Sequence, residues 1–199
     1  MDMAIGKRES LTANDWTSAA LDALARGGLG AVAVEPLAKS LGTTKGSFYW
    51  HFTDRNALIA AALERWEQRD TDRVIAAVDR TPDVATRLRK LLRLVFTAVV
   101  GDPGAGAGSV ELALQATATH PLVAPTLARV TERRLAYLTS LFAELGLSQA
   151  RARDRGLLAY AAFLGHAQLA HSTPDLVPAG RALSSHIDRL IETLTVVED

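Results

Sequence analysis

The run Leu41-Gly42-Thr43-Thr44-Lys45-Gly46-Ser47-Phe48-Tyr49-Trp50-His51-Phe52 concentrates groups able to grip a polyanion and read its edges. Thr43, Thr44 and Ser47 carry small hydroxyls that reach bases or phosphates, Lys45 supplies a cation, and Gly46 lets another backbone approach closely. Phe48 and Phe52 stand four apart, the spacing of inward-facing residues on a helix, which leaves Tyr49, Trp50 and His51 for the outer face. Other chemistry is thin. No visible nucleophile is partnered with a base, and no cofactor motif is present, so neither an enzyme nor a cofactor is expected. The absence of cysteine excludes disulfides and thiolate metal sites and fits a reducing cytoplasm. His166 and His171 are five apart, on different sides of a helix, and no carboxylate stands at ligand spacing beside them; no metal site is expected. Gly104, Gly106 and Gly108 lack the preceding strand of a phosphate loop and read as a connection.

Residues of this kind work only when short rigid elements hold them, and the spacing supplies such elements. Apolar residues recur at helical intervals along the chain, with no sustained strand alternation, so the fold class is all-α with about nine helices. Thr12 can cap a first helix, with Asp15 three residues on; Trp16, Ala20 and Leu24 share its inner face, and Gly27 and Gly28 stop it. A short helix follows from Glu35 to Leu41, with Pro36 in its first turn and Gly42 at its end. Thr44 caps a third from Lys45 to Phe52. Asp54 caps a long fourth one, with Leu58, Ala62 and Trp66 at i, i+4 and i+8, which extends to about Val78 and is long enough to link two domains. Beyond Pro82 comes a helix bearing Leu88, Leu91, Leu92, Val95, Phe96 and Val99, then a glycine-rich segment, then a short helix from Ser109 to Ala118. Pro121 suits the first residue of the next helix, which extends to Leu145. Two last helices span Gln149 to His171 and Ala179 to Val197.

Three short helices with tight turns in the first 55 residues, a glycine between the second and third, describe a helix-turn-helix. Such a unit lays its second helix in the major groove of DNA, N-terminal residues nearest the base edges. Charge argues the other way. The 199 residues carry 22 Lys and Arg against 22 Asp and Glu. Even the N-terminal segment is neutral, with Lys7, Arg8, Arg26, Lys39, Lys45 and Arg55 set against Asp2, Glu9, Asp15, Asp22, Glu35 and Asp54. Where the cations lie matters more than their sum, so DNA binding here must lean on hydroxyls, helix N-termini and dimerisation, with a moderate salt slope. Hydrophobic content is 48% with few aromatic residues, which leaves a core mainly of Ala, Leu and Val, suited to close helix packing. No apolar run reaches the ~18 residues of a membrane span, and the first residues lack a basic start followed by an apolar stretch; neither export nor a membrane partner is expected.

The same segment resembles the DNA-binding domain of the tetracycline-repressor (TetR) family. The matching residues are Leu37-Ala38, Gly42, Thr44, Lys45-Gly46, Tyr49, His51-Phe52, and Leu58 after Asp54-Arg55. The resemblance implies that Tyr49 and His51 bind phosphate, that Thr44 and Lys45 lie at the DNA surface, and that Arg55 adds a phosphate contact where a lysine is usual. The N-terminus of the first helix, near Thr12, is a further phosphate candidate. Two positions depart from the family pattern: Ala33 stands where a capping Thr is common, and Thr43 replaces a branched apolar residue. Thr43 is therefore either a DNA contact or a structural substitute, and Trp50 either a DNA contact or a ring packed on the fourth helix.

After about residue 66 the resemblance fades to architecture. It implies a helix-turn-helix domain over residues 1–55 and a ligand-sensing, dimerising domain over 56–199. A homodimer formed by the last two helices is expected, with Ala161, Ala162 and Gly165 allowing close approach and Leu183, Ile187, Leu190, Ile191 and Leu194 forming an apolar face. The alternative is that these faces complete the protomer core. Trp66, Phe96, Gln115, Tyr137, Phe142, Phe163 and His166 are the candidate walls of a pocket for a small-molecule effector. The leading expectation is a cytoplasmic transcription regulator, usually a repressor in this family, released from a near-palindromic double-stranded operator by its ligand. An activator on the same fold, a helical enzyme and a protein-binding adaptor are the alternatives.

Overall fold

The computed structural model describes residues 11–100, 107–178 and 180–195. They form helices and turns without strands: α1 (Ala13–Ala31), α2 (Val34–Ser40), α3 (Lys45–Phe48), α4 (Arg55–Glu67), a π turn (Gln68–Asp72), α5 (Arg73–Asp79), α6 (Val84–Val100), α7 (Ala107–Gln115), α8 (Ala124–Glu144), α9 (Gln149–Ser172), a 3-10 turn (Pro174–Leu176) and α10 (Gly180–Thr195). With α4, the π turn and α5 taken as one bulged rod, the described residues hold nine helices. Gly104 and Gly106, the residues of the N-terminal charge count up to Glu9, Ala179 and the end of the last helix at Val197 lie outside the described residues.

Helix ends follow local chemistry. Thr12 accepts from Asp15 N while the Asp15 carboxylate accepts from Thr12 N at 2.7 Å, a reciprocal cap on α1. α1 breaks at Gly27 and Gly28, the latter at φ +66°, but helical geometry resumes for one turn to Ala31 because Leu29 is buried beneath it. Gly42, at φ +65°, turns the chain from α2 into α3. α3 is shorter than its spacing suggests: after Phe48 the chain continues as turns, with His51 N and Phe52 N both bonded to Phe48 O. The fourth helix does extend to Asp79 from its Asp54 cap, and the five-residue π turn within it is invisible in the apolar pattern. α7 ends at Gln115, three residues short of Ala118. Pro121 does not open α8. His120 accepts from Val123 N and Ala124 N through its carbonyl and from Leu122 N through Nδ1, which closes a separate turn and moves the helix start to Ala124, with Pro125 in its first turn.

Two apolar cores result. In the first, Trp16, Ala20, Leu24, Leu37, Phe48, Leu58 and Trp66 pack together with Val110 and Leu114 of α7 and Leu127 and Val130 of α8. Each buried leucine contributes about 1.5–3 kcal/mol. The helix-turn-helix is thus seated directly on α7 and the first half of α8. The second core joins Val78, Leu88, Leu92, Phe96, Leu138, Phe142, Ala159, Ile187, Ile191 and Leu194. α8 and α9 run against each other where Gly156 permits it; a Cβ there would lie 3.3 Å from Thr139 N.

Candidate DNA interface and sensing cavity

Phe48 anchors the recognition segment. Its ring meets Trp16 edge-on at 5.3 Å and stacks on Phe52 at 5.7 Å, both partners being buried. With Phe48 held inward, Tyr49 is 56% and Trp50 88% exposed, and His51 is half-buried beside them. Trp50 therefore stands in solvent and does not pack on α4. Thr44 caps α3 by accepting from Ser47 N, and Thr44, Lys45 and Gly46 are exposed on the same end, with Thr43 and Ser47 half-buried. Hydroxyls, an ammonium and two amphipathic rings share one projecting surface, the chemistry that engages phosphates and groove edges.

Two cations near that surface are already engaged. Lys45 Nζ lies 2.9 Å from Glu35 Oε1 across the α2–α3 turn; the Glu35 carboxylate raises the Lys45 pKa, chiefly through their hydrogen bond. Arg55 was expected at phosphate, yet its guanidinium donates to Val32 O at 2.6 Å and to Leu29 O, the carbonyls left open where α1 ends. At Thr12, the Asp15 carboxylate occupies the N-terminal donors, and the backbone N–H of Thr12 holds its pKa below the usual range. Ala33 begins α2 without a side-chain cap.

In the larger helical body, a cavity of about 230 Å³ lies between the π turn and α5 on one side and α6, α8 and α9 on the other. Val74, Leu91, Val95, Leu138 and Phe163 form apolar wall, while Thr71, Glu111, Arg134 and Tyr160 meet at one end. Arg134 is the hub of that end. It bonds Glu111 Oε2 at 2.6 Å, Thr71 Oγ1 at 3.0 Å and Asp70 O at 3.3 Å, and its guanidinium lies over the Trp66 ring at 5.2 Å. Burial works against its charge, and the Glu111 carboxylate more than offsets this, so its pKa stays above the ordinary value. Gln115 Nε2 completes Glu111 from one turn along α7.

Residues 17–74 match the family described as bacterial regulatory proteins, tetR family. The match takes in most of α1, α2, α3, α4 and the π turn, so the N-terminal segment is similar to that family's. The all-α body agrees with solved structures of this fold. A transcriptional regulator from Rhodococcus sp. Rha1 is similar over 92% of this chain and 96% of its own, at 22% identity and TM-score 0.73. A Saccharomonospora viridis regulator solved in complex with choline is 20% identical, covering 94% and 98%, with TM-score 0.75. AibR, solved with isovaleryl coenzyme A and operator DNA, is 18% identical, covering 91% and 96%, with TM-score 0.66. No curated protein sequence matches the chain.

The residues singled out in the C-terminal body separate into distinct places. Tyr137 and Phe163 line the cavity; the Tyr137 hydroxyl donates to Asp79, and burial followed by that carboxylate raises its pKa. Trp66, Phe96 and Phe142 are fully buried in the cores, and Gln115 reaches a shallow groove between α7 and α8. His166 packs edge-on against Phe96 and pairs with His186, Nε2 to Nε2 at 2.9 Å, twenty residues away on α10. Ala161 and Gly165 are exposed on α9 and Ala162 is half-buried, as are Leu183 and Leu190. Ile187, Ile191 and Leu194 differ from expectation: they are buried within the protomer, because the apolar face of α10 turns toward α6 and α9. The Arg134–Glu111 pair escaped the sequence reading altogether. Its residues are 23 apart on separate helices, and a charged residue inside an amphipathic helix ordinarily marks a solvated face. Among the described residues no cluster of three or more metal-ligating side chains occurs, and no helix is long and apolar enough to cross a membrane.

Proposed function

We propose that the chain is a homodimeric cytoplasmic repressor that holds a near-palindromic operator through residues 1–55 and is released by a small molecule sensed in residues 56–199. The observation that carries this reading is the bond network from Arg134 to Thr71 and Asp70 in the π turn. The polar end of the cavity is thereby built on the same rod that begins at Asp54 beside the recognition segment. π turns inside helices recur at functional sites, and this one separates α4, packed in the first core, from α5, which borders the cavity. A ligand that binds better to one arrangement of the rod shifts the population toward it. Helix-turn-helix dimers need their recognition helices about 34 Å apart, so a small rotation of the rod in each protomer suffices to weaken operator binding. The choline complex of the S. viridis regulator and the acyl-CoA and operator complex of AibR support a ligand and DNA on this fold. Tyr49, His51, Thr44 and Lys45 are the proposed DNA contacts, with Thr43, Gly46, Ser47 and Trp50 beside them. Dimerisation uses the outer face of α9, where Leu158, Ala161, Gly165 and Leu169 recur at helical spacing and are exposed.

The test is a mobility-shift titration with DNA from upstream of the protein's own coding sequence, in low and moderate salt. Retardation by the full chain and its loss with Tyr49→Ala support the reading. Equal behaviour of the variant and the parent protein, or no retardation of such a fragment at low salt, overturns it.

A further inference from the structure

The cavity's size and charge balance narrow its occupant. At about 230 Å³ it exceeds the ~150 Å³ apolar cavity that takes up benzene, and falls below the ~300–1,000 Å³ of drug-sized sites. It suits a single ring or a short chain. Its walls are aliphatic and aromatic except at the Arg134 end, so the occupant has one polar head and an apolar body.

The charge of that head follows from the groups that would meet it. Arg134 and Glu111 form a closed pair, their side chains 14% and 2% exposed. The other carboxylate on the lining, Asp70, is gripped by Arg69 through two hydrogen bonds. Among the described residues both carboxylates of the lining are thus answered by guanidinium, and these groups together carry no net charge. An anionic head would have to draw Arg134 from Glu111 and strand a buried carboxylate; a cationic head would have to face Arg134 or strand it in turn. A hydroxyl or carbonyl head meets neither cost. Tyr160 borders the pair, its hydroxyl 3.4 Å from Thr131 Oγ1, and burial with the nearby Glu111 charge keeps its proton on. It can donate to an acceptor on the ligand, while Glu111 and the Arg134 N–H groups offer the complementary partners.

Resting on the sensing role proposed above, we infer that the effector is an uncharged small amphiphile, monocyclic or short-chain, whose hydroxyl or carbonyl head seats between Arg134, Glu111 and Tyr160.

Three probes with one apolar body test it: 3-phenylpropan-1-ol, 3-phenylpropanoate and 3-phenylpropylammonium, titrated calorimetrically into the full-length protein near neutral pH. The alcohol is expected to bind at least about tenfold more tightly than either ion. Glu111→Gln keeps the shape and frees the Arg134 charge, and in that variant the carboxylate overtakes the alcohol. Should that variant lose its helical circular dichroism, Tyr160→Phe replaces it, with alcohol affinity reduced and the ions unaffected. Preference of the parent protein for either ion, no binding of any probe, or an unchanged order in the folded variant overturns the inference. Mobility shifts in the presence of each probe separate the two claims. Release from DNA by the carboxylate alone leaves sensing intact and removes the uncharged class; tight binding of the alcohol without effect on a DNA complex does the reverse.

Discussion

Lys45 Nζ sits 2.9 Å from Glu35 Oε1, so the ammonium at the head of the recognition segment is committed to an intramolecular partner before DNA arrives. Both side chains are exposed, and an exposed pair adds little to stability. Its weight falls on binding. A phosphate must compete with Glu35 for Lys45. Glu35→Gln is expected to leave the melting temperature unchanged, to tighten operator binding at low salt, and to steepen the dependence of log K on log salt by about 0.9, the increment for one further phosphate contact. Anisotropy titrations over a salt series measure the slope. An unchanged slope would mean that Lys45 does not reach phosphate.

Arg55 acts on the opposite side of the ledger between binding and folding. Its guanidinium closes the carbonyls of Val32 and Leu29, tying the end of α1 to the start of α4. Arg55→Met leaves both acceptors short of a donor and is expected to cost about 2 kcal/mol, the scale of a charge-assisted bond. Arg55→Lys recovers less than half, because an ammonium cannot match the planar fork. Urea unfolding of the two variants gives the values. A variant of full stability with weakened DNA binding would restore Arg55 to the phosphate role that its family position implies.

The DNA-binding half was legible because its determinants are local. Thr12, Thr44 and Asp54 each cap a helix that begins immediately after them, Gly42 supplies a positive φ, and the Phe48–Phe52 interval sorts inner from outer faces. The C-terminal body depends on pairs far apart in the chain. Nothing within a few residues of Arg134 announces Glu111 or Thr71, and His166 gave no sign of His186. Pro121 misled for a related reason: a proline suits both a first helical turn and an ordinary turn, and the bonds to His120 decide between them. The apolar stripe of α10 was visible, but periodicity cannot say whether Ile187 and Ile191 face their own chain or a second one.

Glu67 fastens α4 to α8 through Arg129, with Oε1 3.0 Å from Nε. That hydrogen bond holds the Glu67 pKa below its ordinary 4.5, although burial pushes the other way. For a carboxyl whose folded pKa is depressed, the stabilisation is complete above the unfolded value and is lost as pH falls through the folded one. The bridge should therefore hold fully above about pH 4.5 and weaken in more acid solution. Glu67→Gln is expected to lower stability at neutral pH and to flatten the acid limb of the melting temperature against pH. Parallel curves for variant and parent protein below that pH would show that the bridge contributes nothing to the acid transition.

The buried and exposed faces of the last two helices predict opposite outcomes for substitutions on them. A Cβ added at Gly165 meets no atom within 4 Å, so Gly165→Arg fits the protomer while placing a charge on the outer face of α9. Its expected effect is monomeric protein in sedimentation equilibrium with unchanged helical content. Ile191, 3% exposed in the second core, behaves in the other way. Ile191→Ala removes packed methyl groups and should cost about 2–5 kcal/mol in unfolding while leaving the folded fraction dimeric. If Gly165→Arg remains a dimer, the α9 face is not the interface. If Ile191→Ala dissociates the dimer at no cost to protomer stability, the apolar stripe of α10 serves a second copy after all.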